Sequence, residues 1–374
     1  MRRIYLTISL LIFFIISGHA QHKDVKPLPI GSKAPDFDLP GIDGVNHTLH
    51  EYDSYDILVI LFTCNHCPTA QAYEDKIIKI ADEYGKKGVG FVAISPNDPN
   101  AITLNELGYT DLGDKLEDMV KRAEEKKFNF PYLYDGETQT TAIAYGPFAT
   151  PHAFVFNKER ILKYSGRIDD TENPYVEPET TDLTNALDAL VAGKDPEVAQ
   201  TKTFGCSIKW SWKNEWVKKL QEQWAAEPVT LNDIDLAGVA ELMKNNGDKL
   251  RYINVWATWC GPCKIEFPEL VDINRTYRDR DFEFISITID KPNKKDKALE
   301  MLKKFEASNQ NYLFTGKVYD LIETVDKDWQ GSIPYSALIA PGGEIIYKIE
   351  GAIDPLNFRR QIIKYLGRYY ADNK

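Results

Sequence analysis

Val255-Trp256-Ala257-Thr258-Trp259-Cys260-Gly261-Pro262-Cys263 is an apolar run that ends in two cysteines separated by Gly-Pro. Helical spacing follows, so the pair sits at a strand-to-helix junction. A helix start carries unpaired N–H groups and the positive end of the macrodipole, which favour a thiolate there. Two cysteines three residues apart can also close as a disulfide. Phe62-Thr63-Cys64-Asn65-His66-Cys67-Pro68 is a weaker echo, 196 residues earlier and again after an apolar run.

Working outward from each pair, the same order of elements recurs. In the first half, 56–62 is a continuous apolar run, expected as a strand buried on both faces. Ala70, Tyr73, Ile77, Ile80 and Tyr84 then step by three and four, one helical face ending at Gly85. Strands are expected at 88–95, 130–134, 153–156 and 160–167, with helices at 140–145 and 182–192. Residues 98–129 read as an insertion carrying a charged helix near 114–127. In the second half, strands are expected at 251–256, 282–289, 336–340 and 344–349, with helices at 260–279, 298–305, 318–325 and 355–365. Strands alternating with helices, then a terminal hairpin and helix, specify an α/β domain with a mixed sheet, present twice. Between the halves, Trp212, Trp216, Leu220 and Trp224 repeat at helical spacing, as expected of a helix bracing two domains.

At 374 residues two domains are the default. A net charge of −11 with no basic block argues against nucleic acid or anionic lipid as a partner. Residues 1–20 read as a secretory signal: Arg2 and Arg3, an apolar stretch from Ile4 to Ile16, then Gly18-His19-Ala20 before Gln21. The alternative, an uncleaved anchor, has an apolar run shorter than the ~20 residues a span needs. No stable span is therefore expected after cleavage. No cysteine follows the cut, as a lipoprotein would require. Export to the periplasm is the expected localisation, where a cysteine pair can serve as a disulfide.

The remaining cysteine is Cys206. Two Cys-x-x-Cys pairs could make a four-sulfur zinc site, but zinc ribbons place their pairs some 15–20 residues apart. No metal and no other cofactor beyond redox-active disulfides is expected.

Residues from about 228 to 374 resemble the TlpA/ResA-like branch of the thioredoxin superfamily. The resemblance rests on Val255 to Leu270, on Ile333-Pro334 followed by a strand, and on Ala340-Pro341-Gly342-Gly343. It implies thiol–disulfide exchange with protein dithiol or disulfide substrates and an upstream thiol electron donor, in the reducing direction. Cys260 would attack and Cys263 would resolve the mixed disulfide. Pro334 would be cis, with Ile333 and Trp259 against the substrate chain. Pro268 would kink the active-site helix. Asn254 stands where thioredoxin carries a buried acid, and Glu266 would instead accept the proton of Cys263. The plain alternative is a solvated helix glutamate.

Residues from 28 to 195, with a segment reaching to about 215, resemble a redoxin group related to peroxiredoxins and thioredoxins. That resemblance rests on Cys64-Asn65-His66-Cys67-Pro68, Ser95-Pro96-Asn97-Asp98, Thr150-Pro151, Arg167-Ile168-Asp169-Asp170 and Gly205-Cys206-Ser207-Ile208-Lys209-Trp210. It implies Cys64 as nucleophile, Cys67 as resolver, and Thr150 with a cis Pro151 at the substrate. His66 would stabilise the thiolate, unless it only caps the loop or faces water. A peroxiredoxin needs a threonine or serine three residues before its cysteine. Before Cys67 that position is Cys64, which weakens a thiol peroxidase as the alternative for this half. A non-catalytic binding module is a further alternative. Cys206 is expected as a small buried residue, with a third redox partner as the alternative. Residues 196–227 would form the linker with the Trp-rich helix, and the whole would be two tandem thioredoxin-like domains, each a central mixed sheet flanked by helices.

Overall fold

The structure is a computed structural model that describes residues 25–370; the expected secretory signal lies outside them. Two sheets organise the chain. In the first, Ile57–Phe62 is central, with Val89–Ser95 and Tyr132–Tyr134 parallel on one side, and His152–Phe156 and Leu162–Gly166 antiparallel on the other. In the second, Leu250–Trp256 holds the same place. Phe282–Thr288, Gln310–Phe314 and Asn232–Ile234 follow in parallel on one flank, Tyr335–Ile339 and Ile345–Glu350 antiparallel on the other. The common order places both Cys-x-x-Cys pairs at the carboxyl end of a central strand. Ile57–Phe62 and all but Arg251 of Leu250–Trp256 are buried, because helices cover both faces of each sheet. The second sheet has six strands rather than the four expected. The two extra strands, Asn232–Ile234 and Gln310–Phe314, are short and partly polar, and lack the apolar run that marks a buried strand.

Each central strand feeds a helix. Pro68–Gly85 buries Tyr73, Ile77, Ile80 and Tyr84, much of the face the periodicity predicts. Gly261–Tyr277 begins with Pro262 in its first turn, where a missing N–H costs nothing, and contains Pro268. Both helices are capped by a cysteine sulfur: Cys67 accepts from the Ala70 N–H and Cys260 from the Cys263 N–H.

Residues 196–227, expected as a linker, do not hang free of the first sheet. The N–H of Thr201 and the carbonyl of Ala199 bond to Ser165 on the edge strand. Cys206–Ser207 pairs antiparallel with Ala149–Thr150. The helix Asn214–Ala225 then connects the two halves. Asn214 Nδ2 donates to Asp98 at 2.9 Å, while Trp224 lies under the guanidinium groups of Arg275 and Arg278. The aromatic stripe is only partly its packing face: Val217 and Trp224 are buried and Trp216 points to solvent. Spanning two bodies gives each end of the helix a different buried side.

The halves also meet through the expected insertion. It contains the helix Leu116–Lys126 and packs on the end of Gly261–Tyr277. Arg280 donates to the carbonyls of Gly108, Leu366 and Gly367, Tyr277 Oη donates to Thr110 O at 3.1 Å, and Arg368 pairs with Asp111 at 2.5 Å. Among the described residues, no helix is long and apolar enough to cross a membrane.

Candidate active sites

In the second domain Cys260 and Cys263 are joined as a disulfide at the helix start. Both sulfurs are buried, but Trp259 beside them is 65% exposed, so the pair sits under an open apolar surface. The Ile333–Pro334 peptide is cis, and Cys260 Sγ lies 3.6 Å from the Ile333 carbonyl. No strand pairs with Ile333 among the described residues. The loop before Cys260 is tied from below by Asp290, which accepts from the Thr258 N–H and hydroxyl, both at 2.8 Å.

Glu266 is one turn along the helix from Cys263. It is buried, which removes the alternative of a solvated glutamate. Burial pushes its carboxyl up to about 7, against the lowering effect of the Ile353 N–H at 2.9 Å and Asn254 Nδ2 at 3.3 Å. Asn254 also donates to Ser336 at 3.2 Å. The strand position that holds a buried acid in thioredoxin thus holds an amide that orients Glu266.

The first domain has the same parts in a different state. Cys64 and Cys67 are free thiols, and both are buried. The Thr150–Pro151 peptide is cis. Cys64 Sγ lies 3.1 Å from Thr150 Oγ1, and Cys67 Sγ lies 3.2 Å from the Thr150 carbonyl. Cys67 Sγ also receives the N–H groups of Ala70 at 3.4 Å and Cys206 at 3.3 Å. The balance of charge differs from the expected roles. Burial raises both thiols, and Cys64 stays well above the usual range beside Cys67 and Asp114. For Cys67 burial is outweighed by the thiols of Cys206 and Cys64, by the charge on His66 and by the Ala70 N–H, so its thiol is held well below it. The thiol that its surroundings lower is the one at the helix cap.

His66 neither faces water nor caps. It is buried, and its Nδ1 bonds Asp114 Oδ2 at 2.6 Å. Burial opposes the imidazolium, yet Asp114 holds its pKa above the ordinary value; Asp114 in turn is held below its own by the His66 charge despite burial. Asp114 also accepts the N–H groups of Asn65 and His66, at 2.8 and 2.9 Å, and Asn97 Nδ2 at 2.7 Å. Asp114 falls at the start of the charged helix expected near 114–127. It lies instead just before that helix, under the cysteine loop, and an aspartate two residues before a helix gives no hint of burial. Cys64, His66 and Asp114 bring ligand-type atoms within 4.8 Å of one another, the spacing a metal ion would need. Asp114 already accepts four hydrogen bonds there. Cys206, expected to be buried, is partly exposed and packs against Cys67.

Two mixed sheets, each presenting a Cys-x-x-Cys pair at a helix start opposite a cis-proline, define the thioredoxin class of protein. The chain belongs to the thioredoxin superfamily and carries two redoxin-type domains. The AhpC/TSA family model matches residues 30–165, and the Redoxin model matches residues 229–360. A thiol-disulfide oxidoreductase ResA from Oceanobacillus iheyensis is 26% identical over 143 residues, 37% of this chain and 62% of that protein's length. A hypothetical protein of Sinorhizobium meliloti, SMc02350, is 34% identical, with a TM-score of 0.45 over 50% of this chain and 97% of that one. An uncharacterized conserved protein from Geobacillus kaustophilus is 38% identical, with a TM-score of 0.44 over 49% of this chain and 93% of that one.

Proposed function

We propose that the chain is an exported thiol–disulfide oxidoreductase acting on protein dithiols and disulfides. The observation that carries this is the second site. A Cys-x-x-Cys disulfide lies beside the Ile333 carbonyl, under an exposed Trp259, with a buried carboxyl tuned near neutrality one turn away. After reduction by an upstream thiol donor, Cys260 attacks a substrate disulfide and the Cys260–substrate bond forms as the substrate S–S bond breaks. Cys263 passes its proton to Glu266, attacks Cys260 and releases the substrate thiol. A carboxyl near 7 suits that proton transfer at physiological pH. The Ile333 backbone and Trp259 hold the substrate chain. Insulin reduction by Cys260→Ser is the test, and unchanged turnover in that variant overturns the assignment.

For the first domain the same chemistry is proposed at Cys64 and Cys67, with Cys67 as the thiolate and His66 and Asp114 as its electrostatic support. Thr150 and Pro151 line the sulfurs. A peroxide-reducing role is a second reading, favoured by the AhpC/TSA match and by the lowered Cys67 thiol. Among the described residues, however, no arginine hydrogen-bonds to either thiol. Rapid sulfenylation of Cys67 by hydrogen peroxide would establish that reading, and its absence would exclude it. Export to the periplasm rests on the residue pattern of 1–20 and is tested by fractionation with N-terminal sequencing, which should begin at Gln21.

A further inference from the structure

The two domains differ in what lies against the residue before their active-site proline. In the second, Ile333 has no strand partner among the described residues, which leaves its backbone free for an extended substrate chain to pair with. In the first, that place is filled by the protein itself. Cys206–Ser207 runs antiparallel to Ala149–Thr150, with Cys206 directly opposite Thr150. The Cys206 N–H donates to Cys67 Sγ at 3.3 Å, and the Cys206 side chain packs against the buried pair. The segment is firmly placed: the Lys209 N–H donates to Asn97 at 2.8 Å, and Lys209 Nζ pairs with Glu106 at 2.5 Å. Gly205 permits the close approach, because its φ is +121° and a Cβ there would fall 2.0 Å from the Thr150 carbonyl oxygen.

Exposure supplies the second argument. Cys64 is 2% exposed and Cys67 is 0%, so no folded protein disulfide can reach either sulfur in this arrangement. Cys206 is the most exposed of the three thiols.

We propose that Cys206 is a third redox thiol, lying where a substrate cysteine would lie, and that it carries electrons between the buried Cys64/Cys67 pair and protein disulfides outside. This rests on the redox role proposed for the first site. In the reducing direction, the Cys206 thiol, raised above its ordinary range by Cys67 and by burial, gives up its proton to solvent and its sulfur attacks a protein disulfide. The Cys206–substrate bond forms, the substrate S–S bond breaks, and the first substrate sulfur leaves as a thiolate. The Cys67 thiolate then attacks Cys206 Sγ, forming the Cys67–Cys206 disulfide and releasing the second substrate thiolate. Cys64 attacks Cys67 Sγ, closing Cys64–Cys67 and returning Cys206 as a thiol. Two electrons pass from the pair to the substrate. Cys206 recovers its proton from solvent, and the two substrate thiolates take up the proton lost by Cys64 and one more from solvent.

The test uses the full chain equilibrated in dithiothreitol buffers across a range of potentials, acid-quenched, alkylated and mapped by mass spectrometry. Cys206 falls on the tryptic peptide 203–209, apart from Cys64 and Cys67, so a Cys67–Cys206 bond yields a distinct cross-linked peptide. Cys64→Ser should convert the oxidised first site almost wholly to that cross-link. In the wild type the same cross-link should appear as a minor species. Cys206→Ser should slow oxidation of the pair by a protein disulfide about tenfold or more, as expected when the accessible thiol is lost. Denaturant unfolding curves of each variant, matched to the wild type, confirm that the first domain is folded. The inference fails if Cys64→Ser leaves Cys67 and Cys206 both alkylated at potentials where the wild-type pair is oxidised. If Cys64 and Cys67 stay reduced at every potential in the wild type, the redox role of the first site falls, and this inference falls with it.

Discussion

The two Cys-x-x-Cys sites share a strand, a helix start and a proline, yet one is open and oxidised while the other is sealed and reduced. In the second domain the cysteines lie under an exposed tryptophan, and the nearby acid is Glu266, on the active-site helix itself. In the first, an ion pair from the insertion supports the loop and the chain's own Cys206 strand covers the edge. The same scaffold is thus specialised by what is added around it. Asp290 and Asp114 make the point. Each is a buried carboxylate that ties down a cysteine loop, Asp290 through the N–H and hydroxyl of Thr258 and Asp114 through the N–H groups of Asn65 and His66. Asp290 lies two residues past a sheet strand, whereas Asp114 arrives from an insertion and brings a counter-charge for His66.

The largest effect that can break this comparison is at the open site. Cys260→Ser should lower insulin reduction by on the order of a thousandfold or more, as loss of a covalent nucleophile does. If the activity persists at a tenth of the wild-type rate or better, the sealed site is doing the chemistry and the contrast is inverted. Next comes the sealed site's ion pair. Asp114→Ala leaves His66 buried without its counter-charge and should cost about 3–5 kcal/mol in denaturant unfolding. The pH dependence follows from the directions. His66 is raised, so its contribution is complete below its unfolded value of 6.5 and is lost as pH rises through the folded value. Asp114 is lowered, so its contribution is present above 3.8 and is lost as pH falls through its folded value. Stability of the first domain should therefore peak between the two limbs, and Asp114→Asn should flatten both in a pH series of melting curves.

Legibility in the sequence divides along the same line. The open site is built from residues near one another in the chain, or marked by a motif: Cys260, Cys263 and Glu266 share a helix, and Ile333-Pro334 opens a strand. The structure sets the Cys260–Cys263 disulfide beside the Ile333 carbonyl. The sealed site depends on partners whose sequence surroundings say nothing of their destination. Asp114 reaches His66 across 48 residues and Cys206 reaches Cys67 across 139. A charged stretch such as 114–127 gives the same pattern whether its first acid is solvated or drawn under a neighbouring loop. The lowering of the Cys67 thiol depends on those partners too, whereas the resemblance implies Cys64 as the nucleophile.

A smaller effect tests how the open site handles its proton. Glu266 carries a carboxyl raised to about 7, so its neutral form is favoured in the folded state. The stability it contributes is complete below 4.5 and is lost as pH rises through about 7. Glu266→Gln mimics the neutral acid and should raise the melting temperature of the second domain above pH 7. It should also slow resolution of the Cys260 mixed disulfide by about 10²-fold, the lower end of what a positioned proton acceptor supplies, and remove the inflection near 7. Rapid-quench measurement of the mixed disulfide from pH 5.5 to 8.5 reads this. An inflection that survives in Glu266→Gln assigns it to another group.

The smallest expected change concerns the feature that most visibly separates the two sites, the 65% exposed indole of Trp259. An aromatic side chain left in solvent contributes little to folding, so Trp259→Ala should alter unfolding free energy by no more than about 0.5 kcal/mol. Exposed beside a reactive pair, it offers apolar area that a bound polypeptide would cover. Trp259→Ala should therefore raise KM for an unfolded protein disulfide several-fold and leave kcat nearly unchanged. Turnover of a small disulfide, too short to reach the indole, should not respond. The sealed site has an equally exposed aromatic in Phe148, two residues before Thr150, but its edge is already paired with Cys206–Ser207. Equal loss on both substrates would mean that the indole shapes the cysteine loop rather than the docking surface. The openness of the second site would then rest on the free Ile333 backbone alone.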